Sequence, residues 1–515
     1  MRVRSSAVGM CASVGVLVFA SSALAAGLPV RVPDNPLAPG NPACQALVLR
    51  SMNAGSTNYP DAEVEPYVAA DPTDPSHLIA SVQQDRWNDG GSNGLTNTVS
   101  FNGGGTWRLA QGQPAFSICE GATQGSSGFF DRATDPWVSF SADGKTAYSI
   151  SDSFNANGPA FGGASSIIIS RSTDGGLHWQ TPVTARLDTS NTVLNDKESV
   201  TADPLSANKA YAAWDRLVAP NTNANPSAFV HSPAFRGPAM FSSTSDSGMH
   251  WSNGRAIFDP GQNQQTIGNV IVVPKAGPAT GVLFDGFDLI NNKRPKFPHT
   301  ITTYSVAMIH SGDGGSTWSG PTIVAQQQFA QVFISGRYIR TSDELPEFAT
   351  GPEGNLYAVW QDGRFTTAGT PKIAFSMSSD GGAHWSTPIR IDQSPGSVQA
   401  FTPQITVRAD GAVAVQYYDL ENATTAQPGL TDQFLVSCPA AADCTNPASW
   451  AAGGERSLST SGSFDMLTAP VAVGPFVGDY TGLTTTAGGL FESAFAMASP
   501  IAQTGPTDLF ANSTP

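Results

Sequence analysis

Charge is scarce in this 515-residue chain: only 13% of the residues are Asp, Glu, Lys or Arg, and 41 acidic side chains outnumber 26 basic ones. With a formal net charge of −15 and no run of basic residues, it offers no surface for a phosphate backbone, so nucleic acid is excluded as a partner. Long apolar runs are also missing. Beyond the first 25 residues no stretch reaches the ~18 residues needed to cross a bilayer as a helix, so no membrane span is expected. None of the seven histidines belongs to an H-E-x-x-H or similar ligand set, which argues against a zinc enzyme. The fragment Gly144, Lys145, Thr146 lacks the upstream glycine of a phosphate loop and lies where a hairpin turn is expected.

Cysteine is sparse too, and its placement is informative. The first 25 residues carry Arg2 and Arg4, an apolar run through Ala20 and a small-residue site at Ala23 to Ala25, which predicts a secretory signal that removes Cys11. The product is then periplasmic or extracellular, where disulfides form. Four cysteines remain: Cys44, Cys119, Cys438 and Cys444. Cys438 and Cys444 are the close pair, which would leave Cys44 for Cys119, although sequence alone leaves three pairings open.

What the chain has in quantity is Gly (52) and Pro (38), a composition suited to short strands and tight turns. It also has a repeat. Trp107, Trp179, Trp251, Trp318, Trp385 and Trp450 recur every 65 to 72 residues, and the first five close one motif, S-x-D-x-G-x-x-W. Its acidic position is held by Asp174, Asp246, Asp313 and Asp380, with Asn102 in the first copy. In a hairpin turn the Asp accepts backbone N–H groups, the Gly supplies a positive φ and the Trp packs beneath the loop. His178, His250 and His384 share one position inside these turns and read as turn residues.

A second repeat, apolar strand, polar turn, apolar strand, precedes each motif. Seven copies begin near Glu65, Asp135, Ser199, Asn269, Pro346, Pro403 and Tyr480. Repeats of this period predict an all-β, single β-propeller domain over 26–515, with seven four-stranded blades favoured and six the alternative. The sixth copy would replace the Asp-and-Gly turn with the Cys438 to Cys444 segment. The seventh lacks a fourth strand, which 45–49 would supply, closing the ring with strands from both chain ends.

The motif resembles the Asp boxes, or BNR repeats, of the sialidase superfamily, and the likeness extends over roughly residues 60 to 515. In such a propeller the boxes are structural and lie on the rim far from the chemistry. The opposite mouth receives Glu65, Asp135, Asp196, Glu198, Asp343, Glu344, Glu347 and Asp479 ahead of the inner strands. It also receives Asp85, Arg86, Asp152, Asp215, Arg216, Asp285, Asp288, Asp362, Arg364 and Asp419 from the ends of the second strands. Crowded carboxylates raise one another's pKa, take up a cation or pair with arginines.

The resemblance implies a secreted sialidase-like glycoside hydrolase, a monomer acting on a glycan or glycoconjugate. A non-catalytic propeller that binds a glycan or protein, and a polysaccharide lyase, stand as the alternatives. The same resemblance assigns Asp89 as acid/base, Tyr480 as nucleophile with Glu198 or Glu347 to polarise it, and Arg86, Arg216 and Arg364 as a carboxylate clamp with Asp135 and Asp479 beside it. Arg132, Arg337 and Arg340 are reserves for the clamp. That chemistry requires no cofactor, and such an acidic rim suits calcium. Where the family opens its first blade with Phe/Tyr-Arg-Ile-Pro, this chain has Val64, Glu65, Pro66 and Tyr67.

Overall fold

The computed structural model describes residues 27–157, 160–219, 236–292 and 302–515; the predicted signal segment 1–25 lies outside them. The chain is built almost wholly of antiparallel strands in curled sheets, as expected of a β-propeller. Each repeat runs as a meander in which a strand pairs with the next in sequence. In the first repeat Glu63–Ala70 pairs with Leu78–Arg86, which pairs with Ser92–Ser100, which pairs with the short Arg108–Leu109. The corresponding inner strands are Arg132–Phe140, Val193–Ala202, Gln264–Val272, Glu347–Thr350, Ala400–Val407 and Gly482–Thr485. All seven strand pairs expected from the sequence form, because alternation of apolar with small or polar residues gives each strand one face toward each neighbouring sheet.

The last repeat recruits its fourth strand from the other end of the chain, though not from the residues expected. Val30–Arg31 pairs with Thr507–Thr514, with Val30 opposite Ala511. Residues 45–49 instead lie in a helix, α1 (Pro42–Asn53), so the strand reading of that segment is corrected. The cause is local: the Asn41 side chain caps the Ala43 and Cys44 amides, Pro42 stands in the first turn, and helix-favouring Ala, Gln, Leu, Arg and Met follow. The helix buries Cys44 and Leu47 against Leu37 and Cys119, and Cys44 is bonded to Cys119.

The S-x-D-x-G-x-x-W turns join the third and fourth strands and share one hydrogen-bond pattern. Asp174 Oδ1 accepts from Ser172 Oγ (2.8 Å) and the His178 amide (3.0 Å), while Ser172 Oγ accepts the Gly176 amide (2.9 Å). Asp246, Asp313 and Asp380 repeat it. The Nδ1 atoms of His178, His250 and His384 each meet the other oxygen of their own Asp, so these histidines serve the turns. Each turn leans on the preceding sheet. Gly176 sits at φ +82, and a Cβ there would lie 2.6 Å from Ile79 of the first repeat. The first turn leans on the last repeat: Trp107 is buried with Leu509 and Ala511, so contacts run full circle. In the sixth repeat the bonded pair Cys438 and Cys444 leads into α2 (Pro447–Gly453), where Trp450 is buried and its indole N–H donates to the Cys444 carbonyl.

The inner strands surround one axis. A cavity of about 350 Å³ at the end carrying these turns is lined by Tyr67, Trp137, Val200, Val270, Phe348, Ile405 and Leu483, one residue from each inner strand. Tyr67 and Trp137 stack at 3.6 Å between ring centroids.

Candidate functional site

At the opposite end the inner strands share an irregularity. Pairing slips between Val64 and Tyr67, Thr134 and Trp137, Asp196 and Ser199, Ile267 and Val270, and Phe401 and Gln404. These are β-bulges, and the first extra residue of each is left-handed: Glu65 (φ 55), Asp135 (φ 54), Lys197 (φ 51), Gly268 (φ 71) and Thr402 (φ 52). Pro66, Pro136 and Pro403 follow three of them, and a residue without an N–H fits only where the ladder is broken. A left-handed Glu or Lys costs on the order of 1–3 kcal/mol, a strain that persists only where the surroundings over-determine it.

The bulges aim three side chains at one point. Lys197 Nζ lies 3.1 Å from Glu65 Oε1, 3.1 Å from Asp135 Oδ1 and 2.8 Å from Asp479 Oδ2. Arg340 grips Asp479 through Nε (3.0 Å) and Nη2 (2.5 Å). Gln83 Nε2 donates to Glu65 and to Thr134 Oγ1 (2.8 Å), while Gln83 Oε1 accepts from Arg86 Nη1 (2.6 Å). Arg86 and Arg340 both pack on the Phe476 ring, and every charged member of the cluster is buried. Arg340 arrives on the segment after the hairpin Val332–Ile334 and Arg337–Ile339, whose apolar residues pack with Phe401, Tyr418 and Phe464.

Burial and charge divide the titration behaviour of this cluster. Burial pushes the Glu65 carboxyl up to about 8 against the pull of Lys197. Asp135 is equally buried, but Lys197 and a hydrogen bond from Glu65 outweigh that and hold it below the usual carboxylate range. Burial opposes the Lys197 charge, yet Asp135, Asp479 and Glu65 together keep the ammonium well above the lysine norm. Asp196 and Glu198 are driven up by burial and by neighbouring Asp135. At neutral pH the centre therefore pairs a protonated Glu65 with an ionised Asp135.

The candidates from the sequence distribute unevenly. Arg86, Asp135 and Asp479 stand in the cluster. Tyr480, Glu198 and Glu347 meet around a cavity of about 20 Å³ with Trp137 and Lys197. The Tyr480 hydroxyl donates to the Pro136 carbonyl (3.2 Å), and Glu198 accepts the Asp152 amide. Burial, then Glu65, Asp135 and Glu198, hold the Tyr480 phenol well above its ordinary range. Asp89 lies apart, accepting from Arg132 Nη1 (2.7 Å) and Ser56 Oγ (2.6 Å). Arg216 pairs with Asp188, and Arg364 with Asp362 over the Trp360 ring. Lys197 is the residue that sequence reasoning passed over. Its signal was register: Lys197 and Glu198 occupy the place of Glu65 and Pro66, and of Asp135 and Pro136. Among the described residues no group of three or more His, Cys, Asp or Glu is arranged to hold a metal, and the cation that meets Glu65, Asp135 and Asp479 together is the Lys197 ammonium.

Glu347 offers a test of this electrostatic picture. Burial raises its carboxyl to about 8, against a hydrogen bond with Gln404. A raised folded-state pKa gives stability that is full below the unfolded value, about 4.5, and is lost as pH rises through about 8. Glu347→Gln removes that dependence, so relative to wild type its melting temperature should rise between about pH 5 and pH 9, equivalent to ~4 kcal/mol. Parallel melting curves across that range would refute the assignment.

No family model matches the chain, and no curated protein matches it. Among solved structures it is similar to an α-L-arabinofuranosidase from Fusarium graminearum, at 13% identity over 84% of this chain and 96% of that one, with a TM-score of 0.43. It is also similar to the Hadza microbial sialidase Hz136, at 15% identity over 85% and 76% of the two chains, TM-score 0.45. A third is the NanB sialidase from Streptococcus pneumoniae, at 10% identity over 96% and 99%, TM-score 0.45. Likenesses this distant assign neither reaction nor substrate.

Proposed function

We propose that the chain is an exported glycoside hydrolase on a single seven-bladed propeller, acting on a glycan where the inner strands begin. Seven blades are supported by the seven successive meanders and by the pairing of Val30–Arg31 with Thr507–Thr514, which closes the ring. The observation that carries the reaction is the Glu65 and Asp135 pair, two adjacent carboxyls whose surroundings push their pKa values apart. That is the division of labour a glycosidase needs: a carboxylic acid to protonate the leaving oxygen and a carboxylate to act on the anomeric carbon. Each has an oxygen 3.1 Å from the same ammonium nitrogen and Glu65 hydrogen-bonds Asp135, so the pair is closer than the ~6.5–9.5 Å that admits a water between them. Lys197 orients both and keeps Asp135 ionised.

Sialosides are one substrate class within this reading, with Tyr480 the alternative nucleophile. A second reading, a glycan-binding propeller without catalysis, is favoured by the mutual pairing of Lys197, Arg340, Glu65, Asp135 and Asp479, which leaves the cluster electrostatically satisfied.

The test is a fluorogenic panel of sialosides, arabinosides and other glycosides, assayed with wild type, Glu65→Gln and Tyr480→Phe. Turnover by wild type with a kcat about a hundredfold lower in Glu65→Gln is the expected result. If wild type turns over nothing, the binding reading replaces this one; if only Tyr480→Phe is impaired, the carboxyl pair is not the catalyst.

A further inference from the structure

Beside the central cluster lies a second cavity of about 290 Å³, unrelated to the Glu65 and Asp135 chemistry. It is lined by Arg186, Arg216 and Arg236, with Val218, Met240 and Ala256 as its apolar surface. Three guanidinium groups around one cavity stand out in a chain with a net charge of −15.

Their pairing leaves positive charge in excess. Arg186 and Arg216 both chelate Asp188, the first through Nε and Nη2 at 2.9 Å each, the second at 3.0 and 2.7 Å. Arg236 pairs with Asp259. Among the described residues, the three cations lining this cavity thus meet two carboxylates. Burial works to raise the Asp188 pKa, but the two arginines hold it well below the usual range, so the charge balance is constant through neutral pH. All three arginine side chains retain exposure, from 23% for Arg216 to 54% for Arg236, so incoming anions can reach them.

We propose that this cavity binds the carboxylate or sulfate of an acidic glycan, with Val218, Met240 and Ala256 against the apolar face of the sugar ring. The Nε and Nη2 edges of all three guanidiniums are taken by Asp188 and Asp259, so the incoming anion would be met by their remaining Nη donors, which those pairings already hold in place without further ordering cost. The site lies across the strand Ala210–Val218 from the centre: Leu217 lines the small cavity shared with Asp196 and Lys197, whereas its chain neighbours Arg216 and Val218 face this one. The binding goes beyond the proposed reaction and does not depend on it.

The experiment is titration calorimetry of the full chain with a uronate oligosaccharide, a sulfated oligosaccharide and a neutral glucan oligosaccharide, at low and at physiological ionic strength. Wild type should bind one or both anionic ligands and not the neutral one, more weakly as salt rises. Arg216→Ala and Arg236→Ala should each weaken binding about tenfold or more. Preference for the uronate identifies a carboxylate site and preference for the sulfated chain a sulfate site. Arg236→Ala removes an exposed side chain and keeps the Asp188 pairings, so its result stands even where Arg216→Ala lowers stability. Glu65→Gln should bind as wild type does even if no hydrolysis is ever seen. Equal affinity of both arginine variants and wild type, or no binding of either anion, overturns the proposal.

Discussion

Lys197→Met should lower the stability of the folded chain by about 3–5 kcal/mol at neutral pH while leaving side-chain volume nearly unchanged. The lysine itself is bought at a cost, since its backbone is left-handed and its ammonium is stripped of water; Met at the same φ inherits the first of these and not the second. What the variant loses is the one cation within 3.1 Å of Glu65, Asp135 and Asp479 together, and only Asp479 keeps a paired cation, in Arg340, while Glu65 retains the neutral Gln83. Asp135, ionised in wild type, would then be buried without compensation, or would take up a proton. The defect should accordingly shrink as pH falls toward about 4, where those carboxyls protonate even in the unfolded chain. Urea denaturation at both pH values decides the matter. A deficit that does not change with pH would mean that Lys197 is held for packing, and no deficit would mean that the carboxyls are neutralised otherwise.

How far this centre was legible follows from what kind of signal each residue leaves. The inner strands and their partners were readable because period-two alternation survives in strands such as Val413–Asp419, and the turns because Asp, Gly and Trp at fixed spacing have fixed backbone roles. The bulges were half-visible: Pro66, Pro136 and Pro403 each break a strand at the same distance from its partner, which only a bulge accommodates. Lys197 carries no proline after it, and its meeting with Glu65 and Asp479 spans 132 residues in one direction and nearly the rest of the chain in the other. No local pattern encodes that distance. Arg340 stood among the reserve arginines, but its role depends on the hairpin at 332–339 docking against the sixth and seventh repeats, a tertiary event. The error at 45–49 was different in kind. Leu47, Val48 and Leu49 read as a strand, while the stronger signal, Asn41 followed by Pro42, marked a helix start and was given too little weight.

That helix bears on the closing of the ring. Loss of the Cys44 to Cys119 bond, by replacing both with Ala, should destabilise the chain by roughly 4.5 kcal/mol, against roughly 2.2 kcal/mol for the same change at Cys438 and Cys444. The difference follows from loop length: the first bond spans 75 residues and the second 6, and a cross-link restricts the unfolded chain more the longer the loop it closes. The longer bond also has a structural consequence that the shorter lacks. The closing strand Val30–Arg31 makes only two residue pairings, supported by Arg31 on Asp508 (2.8 Å), the Val32 amide on the Leu509 carbonyl (2.9 Å) and the Leu37 amide on Asp85 (3.0 Å). With α1 released from Cys119, this thin strand should detach before the sheets unfold and leave Thr507–Thr514 as a bare edge, a template for pairing with another chain. Thermal melting with light scattering should therefore show association at or below the melting temperature for the Cys44 and Cys119 variant alone. Equal destabilisation of the two variants, with scattering from neither, would show that the short strand holds the ring without the disulfide.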